Sequence, residues 1–296
     1  MRKPAAHFHL PGLFEFYKFY HAFLPLYRAH RAYFYDWCEI ASIYGAPEGC
    51  IWGGGRVGSG TAGAQEVLAL MQDFGISARL TFSNCLLRPE HLIDHPCNAL
   101  CRAFSDSAGP QNGVIVHSEL LLTYLKKHYP RLYFVSSTTK VLTRFSQLRQ
   151  ELERDDFSYV VPDFRLNRSF AQLQALPQTL KDKTEFLCNE GCWSGCMERR
   201  ACYEAVSRKN LGAPGPEHRC TAPEAANGYA MEGPGFIGVQ DIQTTYLPMG
   251  FSQFKIEGRG LGNALLLEFL LHYLTKPEYH LHVREALYLD NTLDLF

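Results

Sequence analysis

Seven short runs of β-branched, aromatic and other apolar residues recur along this chain. Each is followed by one or two polar residues and then by a longer stretch of helical period. The runs are Trp37–Ile43, Ala78–Ser83, Val114–His117, Tyr133–Ser136, Tyr159–Pro162, Glu185–Cys188 and Gln253–Ile256. Helical spacing is predicted over Ala64–Phe74, Pro89–Phe104, Ser118–His128, Phe145–Arg154, Ser169–Leu180, Cys196–Arg208 and Asn263–Leu274. Strands alternating with helices are the signature of βα units around a parallel sheet. Six or seven such units predict an α/β fold of the TIM-like (β/α) barrel kind, incomplete or modified.

The chain has 296 residues and is 46% apolar, enough for a substantial core, and we read residues 1–296 as a single barrel domain. Residues 1–35 are expected to form an N-terminal helical extension. Its aromatic stretch from Leu13 to Tyr35 is interrupted by Glu15, Lys18, His21, Pro25 and Arg28, so it is amphipathic rather than membrane-spanning, with a break near Pro25. Residues 210–248 are rich in Gly, Pro, Ala and Thr and short of periodicity, which predicts a long loop over the barrel mouth. Arg2 and Lys3 precede no apolar signal core, so a cytoplasmic location is expected. The formal charge of -1 offers no global attraction for a membrane surface or a polyphosphate backbone, which favours a small substrate over RNA.

Polar residues close each apolar run, where a barrel places its chemistry, although Asn84, Ser118 and Ser169 are read first as starting turns or capping helices. The densest chemical signal is Cys188, Cys192 and Cys196, spaced four apart around Gly191 and Gly195, with Cys202 and Cys220 beyond. Thiolates select iron-sulfur clusters or zinc. The placement at a strand end points to a cluster on Cys188, Cys192, Cys196 and Cys220, with zinc as the alternative; Cys202, inside a helical run, is read as structural. The triplet is one residue wider than the Cys-x3-Cys-x2-Cys set of radical S-adenosylmethionine enzymes. Cys38, Cys50, Cys85, Cys97 and Cys101 read as small buried hydrophobes.

Three segments carry a family likeness. They are Val161-Pro162-Asp163 with Leu166-Asn167-Arg168, then Cys188-Asn189-Glu190-Gly191-Cys192 with Cys196, and Phe254-Lys255-Ile256-Glu257-Gly258-Arg259. Over roughly residues 75 to 275 the chain resembles peptidase family U-32, the collagenase-like peptidases. The resemblance implies a TIM-like barrel and a 4Fe-4S cluster. It also implies oxygen-independent redox or hydroxylation chemistry, with an electron donor, on a small organic or nucleoside substrate. The older peptidase label finds no His-Glu-x-x-His or Gly-x-Ser-x-Gly motif here. A non-catalytic binding protein stabilised by zinc or a cluster is the alternative from another class.

Strand alternation puts Lys255, Glu257 and Arg259 on one side, facing Asp163 and Arg165 across the mouth. Lys255, Glu257, Glu190 and Asp163 are then the expected catalytic groups. Arg165, Arg259 and Asn167 would bind substrate, with the two arginines clamping a carboxylate or phosphate. For Asp163 and Arg165 a structural ion pair is an equal alternative. Arg56, after the Trp52-Gly53-Gly54-Gly55 run, is a further anion-binding candidate, though the run lacks a P-loop ending and suits a plain turn.

Overall fold

A computed structural model describes residues 5–55, 60, 62–213, 215, 218–222 and 233–289. Eight parallel strands form one sheet in the order β6-β5-β4-β3-β2-β1-β8-β7. The strands and helices, in chain order, are β1 (Ala6–Pro11), α1 (Tyr17–Ala29), β2 (Cys38–Gly45), α2 (Ala64–Phe74), β3 (Ser77–Phe82), α3 (His95–Asp106), β4 (Gly113–Val116), α4 (Glu119–His128), β5 (Tyr133–Ser136), α5 (Phe145–Leu152), β6 (Tyr159–Val160), α6 (Phe170–Gln174), α7 (Gln178–Lys183), β7 (Glu185–Leu187), α8 (Arg199–Asn210), α9 (Val239–Asp241), β8 (Gln253–Lys255), α10 (Asn263–Leu274) and α11 (His280–Leu289). A single bridge between Val160 and Thr184 joins the two edge strands, so the barrel is nearly closed. This is the TIM-like barrel expected from the alternation of strands and helices.

The expectation of a helical extension over residues 1–35 is corrected. Ala6–Pro11 is a strand that pairs with both β2 and β8 and so lies inside the sheet rather than outside the barrel. Its sequence, Ala-His-Phe-His-Leu-Pro, alternates: Phe8 packs in the layer under the helices while His9 lies inside the barrel among polar groups. The expected break at Pro25 is also absent, since α1 continues through it to Ala29. Proline lacks the amide for one helical bond, and the buried stripe of Phe19, Tyr20, Phe23 and Leu24 holds the helix against the barrel regardless. Each such side chain contributes roughly 1.5–3 kcal/mol on burial.

Two apolar layers result. Tyr44, Ile115, Val135, Val161 and Leu187 fill the barrel interior, and a much larger set packs between strands and helices. Helix starts follow local chemistry: Asp94 accepts from the Cys97 amide at 2.8 Å to begin α3, and Ser118 accepts from Leu121 at 3.3 Å to begin α4. Pro177 divides the predicted helix Ser169–Leu180 into α6 and α7. Of the expected loop 210–248, the described part includes α9 and a π-helical turn, Ile242–Tyr246. No helix among the described residues is long and apolar enough to cross a membrane.

Candidate functional site

A cavity of about 260 Å3 opens at the C-terminal ends of the strands. Lys255, Glu257, Arg259, Glu190 and Cys192 line it, as do Tyr44, Thr81, Ser83, Arg199, Cys202, Tyr203 and His218. Lys255 projects from β8 into the barrel, its Nζ 3.6 Å from the centre of the Tyr44 ring and 3.5 Å from Glu185 Oε1. Burial lowers its pKa to about 7, with Glu185 opposing and Arg79 and Arg259 reinforcing the shift. A substantial fraction of this amine is therefore neutral near pH 7.

The chain reaches Glu257 and Arg259 through a locked strand end. Asn189 donates from Nδ2 to the Glu257 carbonyl at 2.9 Å and accepts from the Glu257 amide at 2.7 Å. The Arg259 guanidinium lies 5.4 Å from the Tyr44 ring, so both cations share one aromatic surface. Gly55 makes room for it: a β-carbon there would fall 2.6 Å from Arg259 Nη2. At Gly54 a β-carbon would fall 2.1 Å from the Ser83 carbonyl oxygen, so the glycine run serves close packing of the loop against β3. Arg56 lies outside the described residues.

Four polar atoms at this cavity are buried yet have no hydrogen-bond partner among the described residues: Thr81 Oγ1, Ser83 Oγ, and Arg259 Nε and Nη1. Burying such groups unsatisfied costs about 1–3 kcal/mol each, more for charged ones. They mark the cavity as a place built to meet polar atoms from outside the fold.

Asp163 and Arg165 do not line the cavity; the structure makes them an ion pair. Arg165 donates to both oxygens of Asp163, at 2.6 and 2.9 Å, and to the Cys196 carbonyl at 2.9 Å. Asp163 also accepts from Arg199 at 2.8 Å, and Arg199 is paired on its other side with Glu190. Burial alone would raise the Asp163 pKa; the two arginines override it and hold the carboxyl below its usual range. The expected clamp of Arg165 with Arg259 is thus replaced by a strut that carries the Cys192–Cys196 loop, since Glu190 also accepts from the Cys192 amide at 3.1 Å. Asn167 is fully buried, donating to the carbonyls of Leu187 and Gly235 at 2.9 and 2.7 Å, and does not line the cavity.

The cysteines divide. Cys192 and Cys196 are in hydrogen-bond contact, and Cys192 lies on the cavity wall, where burial and the nearby Glu190 push its thiol up to about 12. Cys188 follows the inward-facing Leu187 and so points the other way, into the layer under the helices, its Sγ 3.6 Å from the Phe186 carbonyl. Cys220 is exposed, two residues after the cavity-lining His218. Cys202, read from sequence as structural, lines the cavity from α8 together with Arg199 and Tyr203. Among the described residues no three His, Cys, Asp or Glu are gathered closely enough to hold a metal ion. The wall therefore offers sulfur donors of the right kind, but the four drawn from sequence do not fit a cluster as a set.

Sequence reasoning missed the polar network beneath the cavity. Arg79 donates to Glu185 at 2.5 Å and to the Tyr133 hydroxyl at 2.7 Å; His9 meets Ser42 at 2.8 Å and Gln253 at 3.1 Å. Burial would raise the Glu185 pKa, but Arg79, His9 and Lys255 bring it down to about 2. Single polar residues inside apolar strand runs, such as Arg79 and Glu185, were the available signal.

No protein-family model and no curated protein matches the sequence. Among solved structures, that of the U32 peptidase Mk0906 superposes with a TM-score of 0.53 at 14% identity, covering 88% of this chain and 95% of that one. At that identity the likeness speaks for architecture alone: the two chains share a (β/α) barrel.

Proposed function

We propose that this chain is an enzyme that binds a small anionic organic or nucleoside substrate in the mouth cavity and transforms it by redox or hydroxylation chemistry. The observation that carries the reading is the cavity itself. It brings a half-buried arginine with two buried donors and two hydroxyls of unmet hydrogen-bonding capacity alongside a lysine whose pKa is near neutrality and two thiols, Cys192 and Cys202. In this reading Arg259, whose Nε and Nη1 are unmet, binds a carboxylate or phosphate, Thr81 and Ser83 orient an oxygen, and Lys255 takes a proton from the bound molecule. Tyr44 and Leu187 supply the apolar floor that excludes water from that transfer.

The cofactor in this reading is an iron-sulfur cluster, with zinc as the alternative. When bound, a cluster would supply electrons or a Lewis-acidic iron. Cys192, Cys196 and Cys202, with Cys220 from the 218–222 segment, would have to draw together to hold it, since no three of them are gathered closely enough as they stand. All ten cysteines are free, which suits a reducing cytoplasm. The peptidase name of the structural neighbour is not carried over, because it comes with a fold and not with a residue set.

The test is iron and acid-labile sulfide content of protein prepared without oxygen, for the wild type and for single serine replacements of Cys188, Cys192, Cys196, Cys202 and Cys220. Iron and sulfide that survive at Cys188→Ser and are lost at Cys192→Ser support the proposal. Zinc without sulfide would instead favour a metal-stabilised binding protein, and protein lacking iron, sulfide and zinc would overturn the cofactor assignment.

A further inference from the structure

Away from the mouth cavity, two cysteine thiols stand close together in the core. Cys50 Sγ and Cys97 Sγ are 3.5 Å apart, joining the loop after β2 to the first turn of α3. We propose that Cys50 and Cys97 are a redox modification site, closing to a reversible disulfide when the protein meets hydrogen peroxide.

Geometry makes the pair asymmetric in the way such chemistry requires. Cys50 retains 8% exposure and Cys97 only 1%, so an oxidant small enough to enter meets Cys50 first. Cys97 hydrogen-bonds to Cys50, and against the effect of burial the backbone amides of Trp52 and Gly53 add to it, so the Cys50 thiol is held below its usual range. Reaching the ~2.05 Å of an S–S bond requires the sulfurs to approach by roughly 1.5 Å, a movement within reach of side-chain rotation.

The steps balance. The Cys50 thiolate takes one oxygen from peroxide, giving a sulfenic acid and, after protonation of the leaving hydroxide, one water. The Cys97 thiol then attacks that sulfur, forming the disulfide and releasing a second water. Two thiols and one peroxide thus become one disulfide and two waters, and a thiol reductant reverses the link.

Its place in the fold gives the link a consequence. Cys50 opens the turn in which Gly53 donates to its carbonyl at 3.0 Å, and Trp52 then accepts from the Asn84 amide at 2.9 Å. Two residues beyond Gly53, Gly55 lies against the Arg259 guanidinium at the cavity. A covalent tie at Cys50 therefore bears on the loop that borders the proposed anion-binding arginine.

The experiment treats the full-length reduced protein with one equivalent of peroxide, blocks remaining thiols with N-ethylmaleimide, and maps peptides without reductant. The expected result is a cross-linked peptide joining Cys50 to Cys97, reversed by dithiothreitol. Absence of that peptide, or a link from Cys50 to Cys101 in its place, overturns the proposal. In a Cys97→Ser variant Cys50 should stop at the sulfenic acid, captured by dimedone; an unmodified Cys50 there also counts against it. Should that variant fail to fold, the wild-type peptide map decides alone.

Discussion

The barrel interior holds charged groups at two levels, and the levels differ in how completely their bonds are made. In the deeper half, Arg79 is held by Glu185 and the Tyr133 hydroxyl and lies 5.4 and 4.8 Å from the rings of Tyr133 and Tyr159. Tyr133 meets Ser77, and His9 meets Ser42 and Gln253. At the mouth, Arg259 and the hydroxyls of Thr81 and Ser83 keep buried donors without partners among the described residues. A charge whose partners all belong to the fold stabilises the fold, whereas one facing a cavity with its donors unmet is available to a ligand. Lys255 stands between the levels, bonded to Glu185 below and open to the cavity above.

The comparison is most sharply tested at Glu185. Glu185→Gln leaves Arg79 and Lys255 buried without their counter-charge, and should cost about 3–5 kcal/mol in urea unfolding. A loss under about 1 kcal/mol would mean the deeper network is as dispensable as a surface pair. The same network predicts acid lability. The His9 pKa is lowered from 6.5 to about 3 by burial and by Arg79, so between those values the unfolded chain binds a proton that the folded one does not. Glu185, lowered from 4.5 to about 2, acts in the same direction over its own window. Stability should therefore fall as pH drops from 6.5 towards 2. His9→Asn should flatten the upper part of that slope, and Glu185→Gln the lower part.

At the mouth the expected effect is on binding. Arg259→Ala removes buried donors that no described residue meets, so it should leave the fold no less stable than the wild type. A small dicarboxylate or organic phosphate that stabilises the wild type by about 2.7 kcal/mol at a hundredfold excess over its Kd should no longer do so. Equal stabilisation of both proteins, read by thermal shift, would remove Arg259 from the site.

The smallest effect separates the two faces of the chain leaving β7. Cys188→Ser buries a hydroxyl in the apolar layer and should destabilise by about 1–2 kcal/mol, yet leave alkylation of Cys192 unchanged. Loss of Cys192 reactivity in that variant would show the two thiols to be coupled after all.

Much of this was legible in the residues. All seven expected strands are present within one or two residues, and Ala64–Phe74 and Asn263–Leu274 are helical over the bounds read from sequence. The apolar runs are long enough, and their helices regular enough, for local periodicity to decide them. The missed strand, β1, alternates histidines with apolar residues, and its polar face is hidden only because the barrel closes around it. At the site, alternation correctly put Lys255, Glu257 and Arg259 on one side. Spacing did not reveal where Cys188 and Cys202 stand: strand alternation turns the first outward, and the direction of α8 brings the second to the cavity.

By itself the sequence determined the βα repeat, the end of the barrel where the cavity's polar groups gather, and the residue types found there, because each depends on neighbours a few positions apart. Which arginine is bound in a strut and which faces the cavity, and which cysteines share a wall, were decided only by the tertiary structure. Those outcomes depend on groups brought together from strands and loops far apart in the chain. Asp163 meets Arg199, Asn189 meets Glu257 and Gly55 meets Arg259 only once the sheet has curled round to bring them within a few ångströms.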